Sequence, residues 1–176
     1  MPKKSILITG CSSGIGLCVA RGLQSRGYRV FATARKARDV QQLENEGLES
    51  LQLDLADSAS IRTAVDAIHA RTGGTLDALY NNGAKRQPGA VEDLTRQVLR
   101  NQFETILFGW HELSNRVLPV MRRQGHGRIV QNSSVLGFVA LRYRGSYNAS
   151  KYAMEGLTVT LRLELAGTDI NVSLVE

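Results

Sequence analysis

The stretch SILITGCSSGIG, residues 5–16, decides the fold. An apolar, β-prone run reaches glycines at positions 10, 14 and 16, and Ile15, Leu17, Val19, Ala20 and Leu23 then recur at helical spacing over 14–26. The reading is strand, glycine turn, helix. Glycines permit a tight turn and a close approach of backbone to a pyrophosphate. The free N–H groups and positive end of the following helix then face the phosphates. Gly10, Ser12, Ser13, Gly14, Ile15 and Gly16 are the expected phosphate-side residues, the two serines adding hydroxyl donors. A plain glycine-rich turn would read the same in isolation, so the rest of the chain has to decide.

Outward from that junction, short apolar strands alternate with longer helical segments. Strands are expected at 5–10, 28–34, 48–55, 76–82, 127–134 and 170–176. Helices are expected at 14–26, 37–46, 58–71 (opened by Ser58), 92–124 (as two helices, with Pro119 near a terminal turn) and 145–166. Alternation at this pitch implies α/β architecture: a doubly wound, Rossmann-type parallel sheet of six strands with helices on both faces. No repeat, low-complexity tract or linker divides the chain, so residues 1–176 form one expected domain. The last strand has no helix after it, and a complete domain of this type is expected to continue past Glu176.

Composition narrows the function classes. The 176 residues are 43% hydrophobic and 22% charged, ordinary globular values. No apolar run approaches the roughly 20 residues a bilayer span needs, and the start MPKKSILITG lacks a signal peptide's apolar region. A cytoplasmic protein without membrane association is expected. The net charge of +6 could attract a polyanion, but the basic residues are scattered and aromatics are only 6%, so nucleic-acid binding is supported by charge alone. Cys11 and Cys18 form no CxxC or zinc pattern, and His69, His111 and His126 are far apart, so no metal site is expected.

The ends of the later strands carry the ligand chemistry. A ribose-binding site for NAD usually has Asp or Glu at the end of the second strand. Here that corner holds Arg35 and Lys36, with Asp39 four residues beyond the arginine. A guanidinium fork matches a 2′-phosphate, so NADP is the expected cofactor. Asp54 closes the third expected strand, where a carboxylate can bond an adenine amine. Asn81 and Asn82 end the fourth expected strand in YNNGA, with Gly83 next; the asparagines either satisfy loop backbone or line the ribose side. Finally GSYNASKYAME, 145–155, puts Tyr147 four residues before Lys151, on one face of a helix and one turn apart.

Taken together, TGCSSGIG, NNGA, NSS and YNASK resemble the short-chain dehydrogenase/reductase family over essentially the whole chain, in its bacterial NADPH-dependent aldehyde- and ketone-reducing branch. The resemblance implies hydride transfer between NADP(H) and a carbonyl or alcohol substrate. It makes Tyr147 the general acid–base and Lys151 the cation beside the phenol, also able to bond the nicotinamide ribose. Ser134, 13 residues before the tyrosine, becomes the holder of the carbonyl oxygen. An aldehyde, ketone or alcohol is the implied partner. A homodimer or homotetramer through the apolar stripes of 100–124 and 145–166 is also implied, although burial within one chain explains the same stripes.

Two departures stand against full activity. The family's fourth catalytic residue is an asparagine in NxxG, which holds a helix kink and a proton-relay water; ILFG places Ile106 there, and Asn101 lies about 140° away round the helix. The family also continues with a loop over the nicotinamide and a substrate lid. A catalytically weak NADP(H)-binding protein is therefore the alternative expectation.

Overall fold

The structure, a computed structural model, describes residues 3–176. Strands β1 (Ser5–Ile8), β2 (Arg29–Ala34), β3 (Glu49–Gln52), β4 (Ala78–Asn81), β5 (Gly127–Asn132) and β6 (Ile170–Val175) form one sheet in the order β3-β2-β1-β4-β5-β6. Every neighbouring pair is parallel. Parallel neighbours need crossovers, and helices α1 (Gly14–Ser25), α2 (Ala37–Asn45), α3 (Ser58–Thr72), α5 (Gly109–Gln124) and α6 (Gly145–Glu164) supply them, with α4 (Arg96–Phe103) leading into α5.

The sheet is buried on both faces because its central strands are apolar throughout rather than alternating. Leu7 of β1 joins Phe31, Leu79 and Ile129 in a core shared with Ile61, Trp110, Val117 and Met121. Its neighbours Ile6 and Ile8 face the other way, with Val30, Ala32 and Tyr80 against Ala20 of α1 and Leu43 of α2. Strand order reverses between β1 and β4, so the loops after these two strands diverge and leave a crevice at their carboxyl ends.

Several expected boundaries shift. β1 stops at Ile8 because the chain turns at Gly10, whose φ of +71° leaves the extended region. β3 ends at Gln52, so Asp54 lies beyond the strand, in a turn where its Oδ1 accepts the Ala56 N–H at 2.9 Å. Asp57, not Ser58, caps α3, accepting the Ala59 N–H at 2.8 Å. Pro119 sits inside α5, which instead stops at Gly125 with φ +77°.

The long helical run at 92–124 divides in a way that matters. A 3₁₀ turn (Val91–Asp93) precedes α4, and a π-helical turn (Glu104–Phe108) joins α4 to α5. Such turns insert a register shift into a helix and occur often at functional sites. Ile106, fully buried, sits in the middle of it. The kink that an asparagine was expected to hold is thus present without one. Two contacts fix it instead: Gly109 lies flush on the Leu55 backbone, and the Trp110 indole N–H donates to the Gly83 carbonyl at 2.9 Å.

A Cβ on Gly109 would collide with the Leu55 carbonyl and come within 2.9 Å of Leu55 Cβ. Gly109→Ala is therefore expected to cost about 1–3 kcal/mol by overpacking, read from urea unfolding. A loss below about 0.5 kcal/mol would show that this approach is not the constraint described.

Candidate active site

The β1–α1 junction is built around absent side chains. A Cβ on Gly10 would lie 2.5 Å from Gly83 Cα, and one on Gly16 would meet the Gly10 carbonyl and lie 2.6 Å from Asn82 Nδ2. Gly14 differs: its φ is +60°, yet nothing lies within 4 Å of a Cβ there. Gly10 and Gly16 let the helix start close to β4, whereas Gly14 leaves open space above the loop. Ser12, Ser13 and Ile15 are exposed at that opening. Ser13 is the N-cap of α1 but makes no side-chain cap bond, so the first N–H groups of the helix stay available to a ligand.

The junction is tied to β4 and β5 by polar side chains. Thr9 Oγ1 accepts the Asn82 and Gly83 N–H groups, both at 2.9 Å. Asn82 Nδ2 donates to the carbonyls of Thr9 at 2.9 Å and Gly10 at 3.2 Å, while its Oδ1 accepts Asn132 Nδ2 at 2.9 Å. Asn82 thus takes the loop-satisfying role of the two open to it. Asn81 departs from the expected cofactor edge. Its side chain is buried and donates to Ser114 Oγ at 3.2 Å and Gln131 Oε1 at 2.9 Å, on the α5 side of the sheet. Asn81 is the last residue of β4 and Asn82 the first of the loop after it, and their side chains part there.

A cleft of about 270 Å³ opens beside the junction, lined by Gly10, Ser12, Arg35, Lys36, Asp54 and Gly83 among others. Sequence reasoning missed Leu53, Leu55 and Lys85, in loops with no motif of their own, and Thr105, in the π-helical turn, on its walls. Arg35 and Lys36 are exposed, and among the described residues neither has an ion-pair partner, while Asp39 is held by Arg38 at 3.3 Å. This cradle, with space above Gly14, an open helix terminus and two unpaired cations, could hold anionic phosphate groups.

On the other side of the crevice, Ser134, Tyr147 and Lys151 come from the β5–α6 segment. Ser134 caps a 3₁₀ turn (Val135–Gly137), its Oγ accepting the Leu136 N–H at 3.2 Å. That bond uses an oxygen lone pair and leaves the hydroxyl hydrogen free to donate. Asn148, next to the tyrosine, clamps the same segment by donating to the Leu136 and Val139 carbonyls at 3.0 and 2.7 Å. Tyr147 is half-buried, whereas Lys151 is 1% exposed. The Lys151 ammonium donates to the Asn132 carbonyl at 2.6 Å and lies 4.3 Å from the Trp110 ring centroid and 5.6 Å from that of Tyr147. Burial pulls this lysine down from 10.5 to about 7, with the Glu155 carboxylate opposing the fall. By contrast, burial pushes the Cys11 thiol up to about 12, so it is no nucleophile.

A family model described as short chain dehydrogenase matches residues 4–176. The chain is 41% identical over 174 residues to the uncharacterized oxidoreductase YbbO of Escherichia coli, covering 99% of this chain and 65% of that protein. It is 38% identical over 177 residues to a 3-ketodihydrosphingosine reductase of Bacteroides thetaiotaomicron, covering 100% and 64%. The chain thus spans about 65% of the length of these relatives. Among solved structures, a short-chain dehydrogenase from Streptomyces avermitilis superposes with a TM-score of 0.94 at 34% identity, over 100% of this chain and 65% of that one. An actinorhodin polyketide ketoreductase with NADPH gives 0.91 at 34%, over 98% and 69%.

The buried lysine makes stability depend on pH. Below pH 7 both folded and unfolded chains are protonated there, and the full burial cost is present. Between about 7 and 10.5 the folded chain releases the proton first, so the unfolded chain binds more protons and stability rises with pH. Lys151→Met removes this term, worth roughly 3–5 kcal/mol across the window. Its melting temperature relative to the parent should therefore be highest below pH 7 and fall towards pH 10. Parallel melting curves at pH 6 and 9 would contradict the assignment.

Proposed function

This chain belongs to the short-chain dehydrogenase family, and we propose that it is an oxidoreductase acting between NADP(H) and a carbonyl–alcohol pair. The observation that carries the reading is the buried Lys151 ammonium, held between the Asn132 carbonyl and the Trp110 ring one turn from Tyr147. A lysine is not sequestered in this way for solubility, and its position suits charge control at the phenol.

In this reading Ser134 donates its free hydroxyl hydrogen to the substrate carbonyl oxygen and polarises it. Tyr147 gives its phenolic proton to that same oxygen, completing the alcohol. Lys151 balances the phenolate until solvent returns a proton. A bound nicotinamide dinucleotide would supply the two-electron reducing equivalent. Gly10, Ser12, Ser13, Gly14, Ile15 and Gly16 would hold its pyrophosphate, Asp54 and Gly83 its adenosine side, and Arg35 with Lys36 a 2′-phosphate. The preference for NADP rests on the two unpaired cations and is consistent with the NADPH of the ketoreductase relative. Names such as 3-ketodihydrosphingosine reductase support a carbonyl substrate. The reading carries with it a cytoplasmic location; no described helix is long and apolar enough to cross a membrane. The groove between α5 and α6, with exposed Leu157 on its rim, supports self-association into a dimer or tetramer.

A second reading, a weakly active NADP(H) binder, is favoured by Ile106. Its apolar, fully buried side chain offers no group to a relay water where the family's asparagine would.

The test has two parts. NADPH should bind at least about tenfold more tightly than NADH, and Arg35→Ala should erase most of that difference; equal affinities in the parent would overturn the cofactor assignment. In turnover of an aldehyde and ketone panel, followed by NADPH absorbance, Tyr147→Phe should lower the rate by at least about 10²-fold while leaving NADPH affinity within about threefold. Reduction that survives Tyr147→Phe would rule out its role as the proton donor.

A further inference from the structure

The chemistry above uses Ser134, Tyr147 and Lys151 and gives no task to the carboxylate beside them. Glu155 lies one turn past Lys151 on α6 and reaches across to the segment after β5. There it accepts a hydrogen bond from Ser133 Oγ, and Ser133 is itself buried. The space it enters is sized for it: a Cβ on Gly137 would lie 2.9 Å from both Glu155 Cγ and Oε1, and 3.0 Å from Ser133 Oγ. The carboxylate therefore bonds one end of the turn that presents Ser134 and occupies the space that a side chain at the other end would need. Gly137 closes that turn by donating its N–H to the Ser134 carbonyl at 2.6 Å.

We propose that Glu155 is a positioning residue of this site: it fixes the Ser133–Gly137 turn that presents Ser134, and its charge balances the Lys151 ammonium. The inference rests on the oxidoreductase reading and adds to it a residue outside the serine–tyrosine–lysine set. The surroundings of the ammonium leave this role to Glu155. β5 presents the uncharged Asn132 carbonyl, α5 the Trp110 ring, and α6 the Tyr147 phenol on one side and Glu155 on the other. Of these, Glu155 is the acid whose charge opposes the effect of burial on Lys151. One side chain thus serves two neighbours by different physics, a hydrogen bond to Ser133 and a Coulomb interaction with Lys151, and the two can be separated.

Glu155→Gln is nearly isosteric and keeps an oxygen for Ser133 but removes the charge. Ser133→Ala removes the hydrogen bond and keeps the charge. The experiment follows the Lys151 side chain by NMR through a pH titration, together with the backbone amides of 134–137 and the turnover of a reducible aldehyde. In Glu155→Gln the Lys151 transition should move to lower pH, corresponding to roughly three- to tenfold weaker proton binding, with the turn amides near their parental shifts. Ser133→Ala should move the turn amides, leave the Lys151 transition in place, and lower kcat about tenfold with little change in KM. Glu155→Asp keeps the charge while shortening the reach and should behave like Ser133→Ala; Glu155→Met, uncharged and close in volume, stands in if the Gln variant is unstable. A Lys151 transition unmoved by loss of the Glu155 charge, or turn amides unmoved by loss of the Ser133 bond, overturns the proposal. A parent that reduces nothing while both NMR responses appear would instead count against the oxidoreductase reading alone.

Discussion

The structure depends on the side-chain amide of Asn82. It lies where β1 and β4 part, and it must satisfy groups that no strand ladder can reach. Its Nδ2 donates to the Thr9 and Gly10 carbonyls and its Oδ1 accepts Asn132 Nδ2. Asn132 in turn accepts the Lys151 ammonium on its carbonyl. A continuous polar chain therefore runs from the glycine loop, through Asn82 and Asn132, to the buried lysine. Each unpaired group in that chain would cost about 1–3 kcal/mol, so its members hold one another in place. The same crossing requires Gly10 and Gly16, since any Cβ there would push apart the segments that Asn82 joins.

Much of this was legible in the amino-acid sequence because it rests on local patterns. An apolar strand running into a glycine turn, followed by short strands alternating with longer helices, is enough to expect a six-stranded parallel sheet, though not the order of its strands. The spacing of Tyr147 and Lys151 is enough to place them one turn apart. What could not be read depends on contacts between distant segments. Asn81 and Asn82 are neighbours with the same side chain, and only their place at and just past the end of β4 separates a core amide from a loop tie. The burial of Lys151 under Trp110 is invisible in a YNASK motif, because the tryptophan lies on α5. Leu55 and Lys85 reach the cleft through turns whose paths no periodicity fixes.

The π-helical turn carries a related lesson. An asparagine at position 106 would be the natural explanation of a kink there, and an isoleucine suggests that the kink is lost. The turn persists because its geometry is set from outside, by the flush packing of Gly109 on Leu55 and by the Trp110 bond to Gly83. Shape and proton relay, which a single asparagine would combine, are separable. In this chain the shape survives with an apolar residue at its centre, and the Lys151 ammonium bonds the Asn132 carbonyl.

Asn82 joins the glycine loop and the lysine end of the site into one polar unit. The most direct measurement is the NADPH affinity of Asn82→Ala by fluorescence titration, with Lys151 followed by NMR in the same sample. The account predicts at least about tenfold weaker binding, together with a displaced Lys151 signal, although Asn82 touches the lysine only through Asn132. Parental affinity with an unmoved Lys151 signal would contradict it.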